Sequence, residues 1–122
     1  MHEMGLMAEM VDLLAESAKE HQVRRIDKVK LIVGKMTNAL PDALQMAFDV
    51  YKEQELFSPS AVLEIEERET IGHCAECGTT FPVRDNALFI CPSCQGLRID
   101  IVSGRELYIE NYEGEEETRY DN

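Results

Sequence analysis

The chain has 122 residues, enough for one small globular unit with at most a module inserted in it. Its 24 acidic and 12 basic residues leave a net charge of −12, which argues against a phosphate-binding nucleic-acid groove and suits a carrier of cations or a partner of basic surfaces. No run approaches the roughly 20 apolar residues of a membrane span. The start also lacks the basic flank and apolar stretch of a signal peptide, so a cytoplasmic location is expected, where paired cysteines more often hold metal than form disulfides.

In chain order, Met4 to about His21 reads as a helix. Met7, Met10, Val11, Leu14 and Ala18 fall at helical spacing, with Glu9, Asp12, Glu16 and Lys19 on the other side. Residues 26–33, "IDKVKLIV", read as a strand with Val29, Leu31 and Val33 on one face and Lys28 and Lys30 on the other. Gly34 ends that strand. "TNALPDALQMAFDVYKEQ" then starts a second helix, with Pro41 tolerated in the first turn and Leu40, Leu44, Ala47, Phe48 and Tyr51 as its buried stripe.

"SPS" at 58–60 is expected to break the chain before "AVLEIEERE" alternates as a strand, Leu63 and Ile65 inward and Glu64 and Glu66 outward. Residues 72–96 concentrate cysteine, glycine and proline. After them "RIDIVSGRELYIENY" returns to strand alternation, with Gly104 at a bend. The expected fold class is therefore α+β. Residues 1–70 and 99–122 make a discontinuous two-layer domain, two helices on a roughly three-stranded sheet, and a zinc-ribbon-like module is inserted at 71–98. The acidic tail 114–122 is expected to be mobile.

"CAEC" at 74–77 and "CPSC" at 91–94 have the spacing of a four-cysteine zinc site. Each pair makes a tight turn that converges two sulfurs on one ion, and Gly78 and Gly96 can supply the positive φ such turns need. Between the pairs, "TTFPV" and "LFI" are expected to form a hairpin around "RDN". Four thiolates complete a tetrahedron, so the zinc held by Cys74, Cys77, Cys91 and Cys94 would be structural and without hydrolytic chemistry. A redox dithiol is the competing reading, which two matched pairs disfavour.

Of the three histidines, His21 near the first helix C-terminus suits the helix dipole, and His73 beside Cys74 reads as a solvent-facing neighbour of the zinc site. Met1, Met4, Met7 and Met10 recur every three residues, which reads as adaptable packing. His2 is different. Methionine removal generally requires a small second residue, so Met1 is expected to stay and its α-amine to be the terminus. That amine and the His2 amide nitrogen close a five-membered chelate ring, and the same amide with His2 Nδ1 closes a six-membered one. The Glu3 amide or its carboxylate can complete the set. A nitrogen-rich, near-planar field of this kind suits Ni(II) or Cu(II) rather than tetrahedral zinc.

Taken together, "MHEM" at the start, "LIVGKM" in the first strand and C-x-x-C…C-P-x-C late in the chain resemble the HypA/HybF family of nickel-delivery proteins for [NiFe]-hydrogenase maturation, some of which also serve urease. The resemblance spans nearly the whole chain. It implies a nickel metallochaperone, not an enzyme, with His2 as nickel ligand and Met1 and Glu3 helping through backbone nitrogens. Nickel would be transferable cargo and zinc structural. The implied partners are an accessory GTPase and the [NiFe]-hydrogenase large subunit precursor, with no nucleic acid and no membrane; a homodimer is left open. Some members flank the cysteine pairs with histidines on both sides. Here only His73 is present and Gln95 follows the last cysteine, which puts a histidine-based pH response in doubt. The competing classes are a zinc-ribbon interaction module without nickel transfer and a zinc hydrolase. The first expects basic surface residues, and the second an open-site motif such as H-E-x-x-H that the chain lacks.

Overall fold

The structure is a computed structural model that describes residues 3–83 and 89–116. Helix α1 runs Glu3–Glu20, and its apolar stripe of Met7, Met10, Val11, Leu14 and Ala18 is buried while Glu9, Asp12 and Glu16 face solvent. Glu3 in the first turn and Lys19 in the last complement the helix dipole. The helix stops where Gln22 takes a left-handed φ of 58°. His21 closes that end by donating from Nδ1 to the Ser17 carbonyl at 2.9 Å.

Strand β1 (Val23–Gly34) is longer than the expected 26–33. Lys28 and Lys30 occupy its polar side as expected, pairing across the sheet with Glu64 at 3.2 Å and Glu110 at 3.1 Å. The alternation is not kept to the end, because Ile32 is as buried as Leu31 and Val33. After β1 the chain makes a 3₁₀ turn over Lys35–Thr37 and a left-handed turn at Asn38 (φ 61°). Helix α2 (Pro41–Tyr51) therefore begins four residues later than "TNAL" suggested, at the proline itself. Its buried stripe is Leu44, Ala47 and Phe48. Leu40 stands outside it, 61% exposed at the N-cap, and Tyr51 is half-buried.

Strand β2 (Phe57–Arg68) includes Ser58, Pro59 and Ser60, which were expected to interrupt the chain. The sheet order β2-β1-β6, with β6 at Leu107–Glu116, explains why a proline is tolerated there. An edge strand has donors that no neighbour needs, and the missing N–H of Pro59 can be one of them. Strands β3 (Ile71–Cys74), β4 (Thr80–Pro82) and β5 (Ile99–Ser103) make a second sheet of order β4-β3-β5, and β6 (Leu107–Glu116) completes the first. Gly114–Glu116, expected to belong to the mobile acidic tail, thus lie in a strand; residues 117–122 lie outside the described residues.

Two compact units result. The first comprises Met1–Leu31, Ala39–Ile65 and Ile109–Asn122. Its helices lean on the sheet through Phe48 and Phe57, edge-to-face at 5.3 Å, Gln45 Nε2 donating to the Leu63 carbonyl at 2.7 Å, and the Ser17–Tyr112 hydroxyl pair at 2.7 Å. The second comprises Ile32–Asn38 and Glu66–Tyr108. There β3 pairs antiparallel with β4 and with β5, the latter through an irregularity at Ile71/Gly72. The expected hairpin of "TTFPV" with "LFI" is not formed, since β4 pairs with β3 and Phe89 and Ile90 are outside any strand; the intervening 84–88 lie outside the described residues. Gly104, at φ 119°, turns the chain between β5 and β6. A Cβ there would come within 2.8 Å of Thr70, so both backbone angle and space call for glycine.

Candidate metal centre

The two cysteine pairs are built on one turn used twice. In the first, β3 delivers Cys74, Gly78 N–H returns to the Cys74 carbonyl at 2.9 Å, and Gly78 has φ 83°. In the second, Gln95 N–H returns to the Cys91 carbonyl at 2.9 Å, and Gln95 itself has φ 61°. The left-handed residue is thus the fourth after the leading cysteine in both turns. The expectation that Gly96 plays this part is corrected: equivalence of position, not residue type, decides, and Gln95 accepts the strain that Gly78 avoids. At Gly96 a Cβ would lie 2.7 Å from Glu76 Oε2, the movable end of an exposed side chain, and 3.2 Å from Cys94 Sγ, so glycine gives the cluster room there without being the turn's left-handed residue.

The four sulfurs converge. Cys74 and Cys94 Sγ are 3.7 Å apart, Cys77 and Cys91 Sγ 3.5 Å, and all four lie within 4.8 Å of one another. A tetrahedral zinc with bonds of about 2.3 Å has sulfur–sulfur edges of about 3.8 Å, close to the two shorter separations, so the set fits that ion with sub-ångström to ångström adjustment. Backbone N–H groups point at the sulfurs: Cys77 to Cys74 at 3.5 Å, and Ser93 and Cys94 to Cys91, each at 3.4 Å. These donors offset the charge of deprotonated thiols. Cys74 and Cys91 are wholly buried against Phe81, Val83 and Ile99, while Cys77 and Cys94 form the exposed side.

The thiols are not equivalent. The Thr79 hydroxyl, 3.1 Å from Cys77 Sγ, and the Thr79 backbone pull Cys77 down to about 6. At Cys94 the Gly96 backbone favours the thiolate, but Cys74 and Cys77 beside it outweigh that and hold the thiol up at about 12. One proton is easily lost from the cluster and another is retained, until a cation displaces them all. Such a centre, with every position filled by sulfur, leaves no site for an activated water.

His73 is brought to the cluster's neighbourhood but not into it. Cys74 is buried, so its neighbour along the strand faces the other way. Its Nδ1 lies 3.1 Å from Thr80 Oγ1, on the residue paired with it across β3 and β4. Thr79 touches the cluster directly, its hydroxyl 3.1 Å from Cys77 Sγ, and carries no cue in the sequence. Met1 and His2 lie outside the described residues. Glu3 opens α1, and its Oε2 accepts the Leu40 N–H at 3.0 Å. The methionine row divides: Met7 and Met10 are core, whereas Met4 is 45% exposed.

Residues 1–114 match the profile of a family described as hydrogenase/urease nickel incorporation, metallochaperone, hypA. The chain belongs to the HypA family. It is 41% identical over 115 residues to hydrogenase maturation factor HypA of Moorella thermoacetica, covering 94% of this chain and all of that one. It is 42% identical over 116 residues to the factor of the same name from Desulfitobacterium hafniense, covering 95% of this chain and all of that one. The solution structure of the Ni metallochaperone HypA from Helicobacter pylori superposes with a TM-score of 0.67 over 96% of this chain and all of that one; at 24% identity it speaks for the fold alone. A second solution structure, of a HypA protein, gives 0.67 at 26% identity over 93% of this chain and 96% of that one. No described helix is long and apolar enough to cross a membrane.

Proposed function

We propose that this chain is a cytoplasmic nickel metallochaperone that holds Ni(II) at its N-terminus and passes it on for maturation of [NiFe]-hydrogenase. The observation that carries the reading is the match to a nickel-incorporation family over residues 1–114, which takes in the opening Met-His-Glu and both cysteine pairs. The chemistry of the donors divides the labour. A closed cluster of four sulfurs is a poor place from which to hand over an ion, and its size suits zinc. Nitrogen donors from the Met1 amine, the His2 amide and imidazole, and the Glu3 amide suit Ni(II). The helical unit is thereby the cargo carrier and the unit with Cys74, Cys77, Cys91 and Cys94 its zinc-stabilised companion. The recipient is the hydrogenase large subunit precursor, reached with an accessory GTPase; the family's description names urease beside hydrogenase.

The deciding experiment compares two changes that share no side chain. His2→Ala removes the imidazole. A Gly-Ser pair placed ahead of Met1 keeps every native side chain but turns the α-amine into an amide. Titration with Ni(II) should show the native mode abolished in both, with zinc content and folding unaltered. Equal stoichiometry, affinity and spectrum in the extended and native proteins would refute the terminal-amine site.

A further inference from the structure

Helix α2 begins without a cap of its own. Its N-cap residue is Leu40, whose side chain offers no acceptor, and no side-chain cap hydrogen bond is made from that position. Helix starts usually recruit Ser, Thr, Asp or Asn there. Here an acceptor comes from the other helix, because Glu3 Oε2 takes the Leu40 N–H at 3.0 Å across 37 positions of sequence. The carboxylate also sits at the positive end of the α2 dipole. Beside it Met4, Ala43, Met46, Ala47 and Val50 line a shallow apolar groove, and the bond itself stands open to solvent.

We infer that Glu3 acts as a positioning residue for nickel: its carboxylate is latched to the Leu40 N–H and holds in place the backbone that chelates the ion, rather than entering the coordination sphere. This rests on the terminal nickel site proposed above. The Glu3 amide nitrogen closes a second five-membered ring with the His2 amide, so the Glu3 Cα is bonded directly to a donor atom. Fixing that Cα through its side chain ties the chelate to the first residue of helix α1. The remaining donors belong to the two residues before it. An ordered donor spends less entropy on binding and slows dissociation.

Four variants of the full zinc-loaded chain test this, each given one equivalent of Ni(II) and then excess competing chelator. Glu3→Ala removes the acceptor. Leu40→Pro removes the donor from the far end of the latch and touches no group near the ion. Leu40 suits that change, since it is 61% exposed, its φ of −88° is close to proline's, and its carbonyl still receives Leu44 N–H. Both variants should lose nickel about tenfold faster, the scale of one hydrogen bond to a charged group, with the spectrum of the bound ion unchanged. Glu3→Gln keeps an oxygen acceptor without its charge and should fall between, about threefold faster than native, with the native spectrum. A carboxylate ligand predicts the opposite grouping: Glu3→Ala and Glu3→Gln alike in an altered spectrum, with Leu40→Pro native. That pattern, or native release from Glu3→Ala, overturns the latch. His2→Ala keeps the two failures apart. If it abolishes the native mode while Glu3→Ala releases nickel normally, only the latch falls. If it leaves nickel binding intact, the terminal site falls and the latch with it.

Discussion

Replacing Cys91 by Ala should cost more than replacing Cys94, although both remove one sulfur from the same ion. A four-thiolate zinc contributes on the order of 10–16 kcal/mol apparent, so one thiolate accounts for roughly 2.5–4 kcal/mol if the ligands share evenly. That alone weakens zinc by about a hundred- to a thousandfold. Cys91 carries a second cost. Its sulfur is wholly buried and receives the N–H groups of Ser93 and Cys94. Alanine takes the acceptor away from those part-buried donors and leaves a gap against Phe81 and Ile99, a combined penalty of about 1–2 kcal/mol. Cys94 is exposed, so water can take over at its position. Cys91→Ala should therefore bind zinc about tenfold or more below Cys94→Ala, measured by competition with a chromophoric chelator in the full chain. Amide exchange should show residues 71–103 deprotected while α1 keeps its protection, because Met7, Leu14, Leu44 and Phe48 form a core without help from the cysteines. Equal zinc affinities for the two variants would refute the role given to burial. Loss of α1 protection together with zinc would refute the independence of the helical core.

Two further outcomes are expected. Glu9 and Asp12 are exposed on α1, the helix that follows the proposed nickel site, and reversing both charges should slow association with the proposed accessory GTPase and flatten its salt dependence; identical binding across a salt series would place the interface elsewhere. Glu106 is held below the usual carboxylate range by its own backbone N–H, by the Gly104 N–H at 2.7 Å and by the Ser103 hydroxyl at 3.3 Å. A depressed folded value stabilises the protein above the ordinary carboxylate pKa and is lost as pH falls through the depressed one. Glu106→Gln should thus cost about 1 kcal/mol at neutral pH and progressively nothing in acid, by denaturant titration at several pH values; a pH-independent difference would contradict it.

What could be read in advance was what repeats locally. The stripe from Met7 to Ala18 needed only helical spacing, and the cysteine pairs only their own separations. Local cues failed where a distant strand decides. "SPS" carries every sign of a break, yet an edge position lets Pro59 continue the strand. "LFI" has the composition of a strand but loses β4 to β3, a partner on the near side of the cysteines. Ile99–Ser103 was assigned with the helical domain for its continuity with β6, and its pairing with β3 could not be inferred from alternation alone. Gln95 hides for another reason: glycine follows it, and the turn's hydrogen bonds fix the left-handed position irrespective of which residue would find it easier. The Glu3–Leu40 bond joins a side chain to an amide and has no signature in either segment.

The three-stranded sheet has two rims, and a carrier that must stay dispersed cannot let them nucleate stacking with other molecules. On the β2 rim Pro59 removes one of the donors a foreign strand would need. On the β6 rim the last turns of strand present Glu113, Glu115 and Glu116, all exposed, so two such rims brought together would meet charge against charge. The surplus of acid in the composition thus has a local purpose beyond attracting cations. It sets acid against acid where a second copy would otherwise add a strand, and so turns a property of the whole composition into protection for one edge.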